Sequence, residues 1–105
     1  MHVQIVNFNL EGITEDEYRQ VCDQLAPAFA SMSGLITKVW LADAGTNTYG
    51  GVYLWQDKAA YDAYLKSEIF AGVAANPALA NITSKDFGIL DGPSALTRAM
   101  SFAAV

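Results

Sequence analysis

Residues 34–65 read GLITKVWLADAGTNTYGGVYLWQDKAAYDAYL, and this stretch contains the pattern that decides the fold. Residues 35–42 and 49–56 are rich in β-branched and aromatic side chains, which favour strands. The segment between them is typical of a turn, so the pattern predicts a β-hairpin. Asp57 is a suitable N-cap for the helix that follows, whose apolar and aromatic residues give it one buried face.

The segment before this stretch predicts one strand and one helix. Residues 2–10 alternate between two partly apolar faces, as in a strand that is covered on both sides. Thr14 and Glu17 have the spacing of a capping box and begin a helix. Pro27 should kink or restart this helix, and Gly34 ends it.

The segment after residue 65 supplies the last elements. Ser67 is a further N-cap, and Pro77 ends the short helix that it begins. Residues 81–90 form the fourth predicted strand. The order β-α-β-β-α-β predicts a ferredoxin-like α+β fold, with helices on one face of a four-stranded antiparallel sheet. The apolar tail, 93–105, is expected to pack on the domain or on a partner.

Length and composition indicate one domain that pairs with a second copy. The chain has 105 residues, which fits a single domain over 1–105. Hydrophobic residues make up 52% and charged residues 16%. This apolar composition and the uncovered sheet face favour a homodimer. The net charge is −5 and the basic residues are scattered, which argues against nucleic acid or a membrane surface as partner.

The N-terminal residues and the lengths of the apolar runs favour a cytoplasmic location. The first residues lack the basic segment and apolar core of a signal peptide. No apolar run reaches the ~18 residues of a membrane span.

Cys22 lies in the apolar stripe of the first helix, so we expect a small core residue and not a reactive thiol.

Motifs of several enzyme classes are absent from the sequence. Gly50 and Gly51 lie inside a predicted strand, so they indicate a bulge or a close approach and not a phosphate-binding loop. The single histidine, His2, argues against a histidine-based metal cluster and a Ser-His-Asp triad. We expect Lys38 to pack its stem on apolar neighbours and to extend its ammonium into solvent.

Aromatic side chains are concentrated around the hairpin and the second helix. They are Trp40, Tyr49, Tyr53, Trp55, Tyr61, Tyr64 and Phe70. Hydroxyl and indole donors beside an apolar surface suit a flat, partly polar organic ligand. The alternative is an aromatic core with a dimer interface. The amide of Asn7, in the middle of the first strand, would serve a bulge or hold a ligand oxygen.

Several short motifs resemble those of a known family. They are Gly34, Lys38-Val39-Trp40, Gly50-Gly51-x-Tyr53-Leu54, Asp57 and Ala63-Tyr64-Leu65. They resemble the YdhR-type family of proposed monooxygenases in the dimeric α/β-barrel superfamily, which also includes antibiotic-biosynthesis and haem-degrading monooxygenases. The element order extends the resemblance over almost the whole chain.

The second helix also resembles the haem-degrading branch. That branch uses an asparagine on the first strand, a tryptophan on the second helix and a histidine one turn past a phenylalanine. Asn7 matches the asparagine, whereas Tyr64 stands in the place of the tryptophan and Ala74 in the place of the histidine. The missing axial ligand argues against haem cleavage.

The resemblance implies a cofactor-independent monooxygenase that oxidises a small aromatic or polyketide-like phenol with O2. Antibiotic-type relatives act on phenolic or anthrone-like substrates without a metal or flavin. An electron-rich phenolate can itself reduce oxygen, so the protein must bind it, favour its ionised form and exclude water. The expected site residues are Asn7 and Tyr64 as catalytic residues, and Trp40, Tyr53, Tyr61 and Phe70 as substrate-binding residues.

Two other functions fit the same sequence pattern. One is a non-oxidative isomerase, cyclase or dehydratase that acts on polyketide-like rings. The other is a non-enzymatic small-molecule-binding or stress-response module. The fold alone does not distinguish among these functions.

Overall fold

The computed structural model describes residues 1–97 and has a four-stranded antiparallel sheet with helices on one face. The sheet order is β2-β3-β1-β4. This architecture confirms the ferredoxin-like fold. The elements are β1 (His2–Leu10), α1 (Glu15–Ala30), β2 (Leu35–Asp43), β3 (Thr48–Trp55), α2 (Lys58–Leu65), α3 (Glu68–Ala75), β4 (Leu79–Gly88) and α4 (Asp91–Leu96).

The three longer helices begin at the residues that their capping signals predict. The Thr14 side chain accepts a hydrogen bond from the Glu17 backbone, and the Glu17 carboxylate accepts one from the Thr14 backbone. Asp57 and Ser67 accept hydrogen bonds from backbone N–H groups in the first turns of α2 and α3. Each such cap satisfies a donor that the helix leaves free, which contributes about 1 kcal/mol.

The ends of some elements differ from the prediction. Helix α1 ends at Ala30, before Gly34, and runs through Pro27 without a restart. Because Pro27 lies close to the C-terminal end, its missing donor interrupts only the last turn. Strand β4 spans Leu79–Gly88, two residues earlier than expected. The sequence signals did not anticipate α4, and residues 98–105 of the apolar tail lie outside the described residues.

The core between sheet and helices is largely aromatic. Trp55 is fully buried and stacks on Tyr53 with 5.9 Å between ring centroids. The buried amide of Gln4 accepts a hydrogen bond from the Trp55 indole and donates one to Ser84. An unpaired amide at this depth would cost about 1–3 kcal/mol, so both bonds are needed. The buried apolar set is Val6, Phe8, Phe29, Tyr49, Tyr53, Trp55, Tyr61 and Tyr64.

The opposite face of the sheet has no helix on it among residues 1–97. We call it the bare face; it carries Val3, Ile5, Asn7, Val39, Leu41, Val52, Leu54 and Phe87. Val39 is 55% exposed and Phe87 is 52% exposed. Within residues 1–97, every helix is too short or too polar to cross a membrane.

Gly50 allows β3 to pass close to β1. Its φ is +147°, and a Cβ atom built there would lie 1.8 Å from the Val6 carbonyl oxygen. No other residue fits at that distance, so the expected close approach is confirmed.

Candidate active site

A cavity of about 300 Å³ lies between the sheet and helices α1 and α3. The sheet supplies its floor and the two helices supply its walls. Most of the lining is apolar or aromatic, which suits a flat organic ligand. The lining residues are Phe8, Ile13, Tyr18, Val21, Cys22, Leu25, Phe29, Lys38, Trp40, Gly50, Tyr53, Glu68, Ile69, Gly72, Val73, Asn76 and Leu79.

The Lys38 side chain lies in this cavity and is surrounded by aromatic rings. Its Nζ atom lies 3.4 Å from the ring centroid of Trp40, 3.5 Å from that of Phe29 and 4.6 Å from that of Tyr53. We call these three rings the aromatic cage. They come from α1, β2 and β3, so only the folded chain brings them together.

The environment of Lys38 disfavours its charged form. Within residues 1–97, no carboxylate forms an ion pair with this amine. Burial lowers the pKa of Lys38 to about 7. We expected the ammonium to reach solvent, whereas the structure directs it inward. The neutral amine is therefore present in quantity near neutral pH.

Gly51 provides the space that Lys38 occupies. A Cβ atom on Gly51 would lie 3.0 Å from Cε of Lys38 and 3.2 Å from a ring carbon of Tyr53. Contacts this short force a neighbour to move. The second glycine of the pair therefore permits the inward position of the lysine.

Two tyrosine hydroxyls meet beside the aromatic cage. The hydroxyl oxygens of Tyr53 and Tyr64 lie 3.4 Å apart, and both residues are buried. Burial raises the pKa of Tyr53 and of Tyr64, so both hydroxyls stay protonated and able to donate.

The structure brings together part of the predicted site. Trp40 and Tyr53 line the cavity. Tyr64 lies behind Tyr53, and Phe70 packs edge-on against Tyr64 with 5.3 Å between centroids. Neither Tyr64 nor Phe70 belongs to the cavity lining.

The other two predicted residues lie elsewhere. Asn7 is on the bare face, and its amide donates to the Tyr49 carbonyl oxygen at 3.5 Å. Tyr61 packs against His2 with 5.1 Å between ring centroids. His2 Nε2 lies 2.6 Å from Asp86 Oδ2. This cluster of His2, Tyr61 and Asp86 is separate from the cavity lining.

Sequence reasoning missed the importance of Lys38 and of α1 for the cavity. Lys38 and Trp40 are two residues apart on β2, so strand alternation alone places both on one face. This alternation could have identified Lys38 as a neighbour of Trp40 from the sequence alone. Phe29 and Cys22 come from α1, and Cys22 is half-buried in the cavity wall. Burial raises the pKa of the Cys22 thiol, which keeps it protonated.

The comparisons with known proteins agree with this fold. Residues 3–100 match the model of the family described as "Putative mono-oxygenase ydhR". The chain belongs to the ydhR family. Among curated protein sequences, none matches this chain.

Solved structures with the same fold include oxygenases. SnoaB, a cofactor-independent oxygenase from Streptomyces nogalater, is 25% identical over 84% of this chain and 92% of its own, with a TM-score of 0.66. A Nitrosomonas europaea protein of unknown function is 21% identical over 87% and 90%, with a TM-score of 0.72. The haem degrader MhuD from Mycobacterium tuberculosis, which has two haems in its active site, is 20% identical over 86% and 96%, with a TM-score of 0.68.

The residues of this ydhR-family chain do not fit a histidine-bound haem. The sequence contains one histidine. His2 is 7% exposed, its Nε2 atom faces the Asp86 carboxylate, and it does not line the cavity. A histidine-bound haem therefore has no part in the proposed reaction.

Proposed function

We propose that this chain is a cofactor-independent monooxygenase that oxidises a small aromatic or polyketide-like phenol with O2. The observation that carries the proposal is the cavity of about 300 Å³ with aromatic walls and a few inward polar groups. Membership of the ydhR family and the similarity to SnoaB support a monooxygenase function.

The reaction needs no external reductant when the substrate is anthrone-like. Its enol tautomer ionises at the hydroxyl, and the anion, in which the reacting ring carbon carries one hydrogen, gives an electron to O2. The two resulting radicals combine at that carbon. Loss of water then leaves a carbonyl at that carbon. One oxygen atom of O2 enters the product and the other leaves as water, so the substrate supplies all the electrons.

The chain contributes binding, hydrogen bonding and exclusion of water. Trp40 and Phe29 would hold the flat ring system, and Tyr53 would donate to the developing oxyanion. Tyr64 positions the Tyr53 hydroxyl at 3.4 Å. Enclosure of the substrate by α1 and α3 strengthens these interactions because water is displaced.

The remaining predicted residues have indirect roles in this proposal. Phe70 supports Tyr64 through their edge contact. Asn7 pairs with Gly50 in the sheet, and Gly50 lines the cavity, so we assign Asn7 to the shape of the cavity floor. Tyr61 would act through the packing of α2 on β1.

The proposal includes a homodimer that works in the cytoplasm. Its support is the bare face, on which Val39 and Phe87 are about half exposed. Burial of apolar surface releases about 25 cal/mol per Å², so a second copy on this face stabilises both. Light scattering at micromolar concentration tests the dimer, and a monomeric mass would contradict it.

The test of the activity is oxygen consumption by metal-free, flavin-free protein with anthrones, naphthols and hydroquinones. With isotopically labelled O2, we expect an anthrone product in which one labelled oxygen replaces two hydrogens. Tyr53→Phe should lower the rate, whereas the matched variant Tyr49→Phe, outside the cavity lining, should not. Asn7→Ala and Tyr64→Phe test the two residues assigned as catalytic from the sequence.

Other outcomes favour the other functions. Turnover that continues without oxygen would identify an isomerase, cyclase or dehydratase. Tight binding of these compounds, seen as tryptophan quenching, with no turnover would identify a binding module.

A further inference from the structure

We propose that Lys38 is the base that takes the proton from the substrate hydroxyl, so that the site selects aromatic hydroxyl compounds and holds them as phenolates against the lysine ammonium. The assignment of Lys38 as a catalytic base rests on the proposed function. The capture of phenolates is a binding property that can be measured without any oxidation.

The amine of Lys38 lies where a bound substrate would meet it. Lys38 Nζ lies within 3.5 Å of two ring centroids, those of Phe29 and Trp40, inside the cavity that would hold the substrate. A flat phenol stacked in the same cavity would therefore place its hydroxyl near the amine. General-base catalysis requires such hydrogen-bond reach.

The cavity places a cation at Lys38 without a matching negative charge. Within residues 1–97, Lys38 has no carboxylate partner in an ion pair. A buried cation without a counter-ion is disfavoured, and burial holds the pKa of Lys38 at about 7. A phenolate would supply the missing negative charge, and the pair would be attractive in a medium of low dielectric constant.

The aromatic cage also favours the proton transfer. The faces of aromatic rings attract a cation, so the cage stabilises the ammonium once it forms. Proton transfer from a phenol to the neutral amine thus creates two charges that both have partners. The ring faces stabilise the ammonium, and the ammonium stabilises the phenolate.

The other titratable groups around Lys38 are poorer bases. They are Tyr18 and Cys22 on α1, Tyr53 on β3, Tyr64 on α2 and Glu68 on α3. Burial raises the pKa of each tyrosine and of the thiol, so all four stay protonated near neutral pH. Glu68 is exposed where α3 begins, and it forms no ion pair with Lys38.

The proton transfer is balanced within the proposed reaction. The O–H bond of the phenol, which for an anthrone is the hydroxyl of its enol tautomer, breaks, an N–H bond forms on Lys38, and the electron pair stays on the anion. Oxidation of the phenolate by O2 follows. Lys38 then returns the proton to the oxygen atom that leaves as water, which restores the neutral amine.

The experiment uses 4-nitrophenol as an anaerobic probe, because only its phenolate absorbs visible light. We expect the wild-type protein to shift the bound probe toward phenolate by about tenfold, or one pKa unit, relative to the free probe. Lys38→Met should abolish this shift. The matched control Lys66→Met, an exposed lysine outside the cavity lining, should keep it.

Two further variants make the test sharper. Lys38→Arg keeps a cation that binds the phenolate but cannot accept a proton near neutral pH. It should retain the spectral shift but lose the acidic limb of the pH profile for kcat. Glu68→Gln should keep the shift. Retention of the shift in Lys38→Met would overturn the proposal, and its simultaneous loss in Glu68→Gln would assign the effect to Glu68. Binding of the probe in its neutral form by folded wild-type protein would also overturn the proposal.

The two proposals fail in different ways. A phenolate shift that depends on Lys38, without oxygen uptake, would confirm phenolate capture and remove the monooxygenase. Oxygen uptake that persists unchanged in Lys38→Met would keep the monooxygenase and remove Lys38 as its base. Thermal unfolding of each variant identifies a loss of fold.

Discussion

Gly51 lies diagonally across from Lys38 on the neighbouring strand: a Cβ atom on the glycine would lie 3.0 Å from Cε of the lysine. The missing Cβ atom leaves the space that the lysine stem occupies. With a Cβ atom there, the lysine stem or the Tyr53 ring would have to shift by a few tenths of an ångström. A backbone position on β3 thus affects where a side chain on β2 lies.

We predict that Gly51→Ala displaces the Lys38 amine and reduces phenolate capture several-fold. The backbone of Gly51 is not in the left-handed region, so we expect the variant to fold after a small shift of the neighbouring side chains. The control is Gly88→Ala on β4, where an added Cβ atom meets nothing within 4 Å. Titration of 4-nitrophenol absorbance measures both variants. Equal capture by the two would show that the glycine does not direct the lysine.

The buried amine should also make stability depend on pH. The folded state has a pKa of about 7 for Lys38, below its ordinary value of 10.5. Between these values the unfolded chain binds the extra proton, so the free energy of unfolding rises as pH increases from about 7 toward 9.5. Over this pH range the free energy of unfolding should rise by about 2–4 kcal/mol, because less free energy is needed to remove the proton from Lys38 on folding. Above this range, ionisation of tyrosine side chains would add its own change to the free energy of unfolding.

Urea unfolding at several pH values measures this effect. Lys38→Met should be more stable than the wild type at pH 7, and its stability should change less with pH. The control Lys66→Met should follow the wild-type curve. A wild-type stability that is flat over this range would contradict a depressed lysine pKa.

Sequence patterns predicted the fold well because its signals are local. Strand alternation, the Thr14 capping box and the Asp57 cap each involve residues close together in the chain. The position of Lys38 depends on contacts with Phe29 and on space left by Gly51, which the sequence does not bring together. A lysine between apolar neighbours is compatible with both an outward and an inward side chain.

Aromatic density likewise located the site only in part. Trp40 and Tyr53 line the cavity, whereas Tyr61 lies in the separate cluster with His2. Aromatic side chains lie both around the cavity and in the cluster with His2, and the residue pattern does not tell which of the two groups encloses a cavity. That outcome depends on how α1 and α3 pack.

Gly72 offers a way to close the cavity without disturbing its floor. It lies on α3, is exposed and lines the cavity, which places it at the opening. A Cβ atom there meets nothing within 4 Å. Gly72→Leu should raise stability by about 1 kcal/mol, because glycine is a poor helix former.

The same variant should weaken ligand binding because the leucine side chain narrows the opening. Ala74→Leu, at an exposed site on α3 outside the cavity lining, is the control. Tryptophan quenching by naphthols measures affinity. Unchanged affinity in Gly72→Leu would mean that ligands enter elsewhere.

The cluster of His2, Tyr61 and Asp86 predicts a separate acid sensitivity. Hydrogen bonding from His2 lowers the pKa of Asp86. A carboxylate with a depressed pKa stabilises the fold above its unfolded pKa, and this contribution is lost as pH falls through its folded pKa. Asp86→Asn should therefore lower Tm at pH 7 and have little effect at pH 2. An equal loss of Tm at both values would assign the effect to packing.

The bare face gives a last prediction, for the dimer. Val39 lies on the bare face, on the edge strand β2, and is 55% exposed, so an aspartate in its place would put a charge into the proposed interface. We expect Val39→Asp to shift the protein from dimer to monomer in light scattering at micromolar concentration. The control Leu90→Asp changes a residue that is 76% exposed and lies outside the sheet, and should leave the mass unchanged. A Val39→Asp protein that remains dimeric would place the interface on another surface.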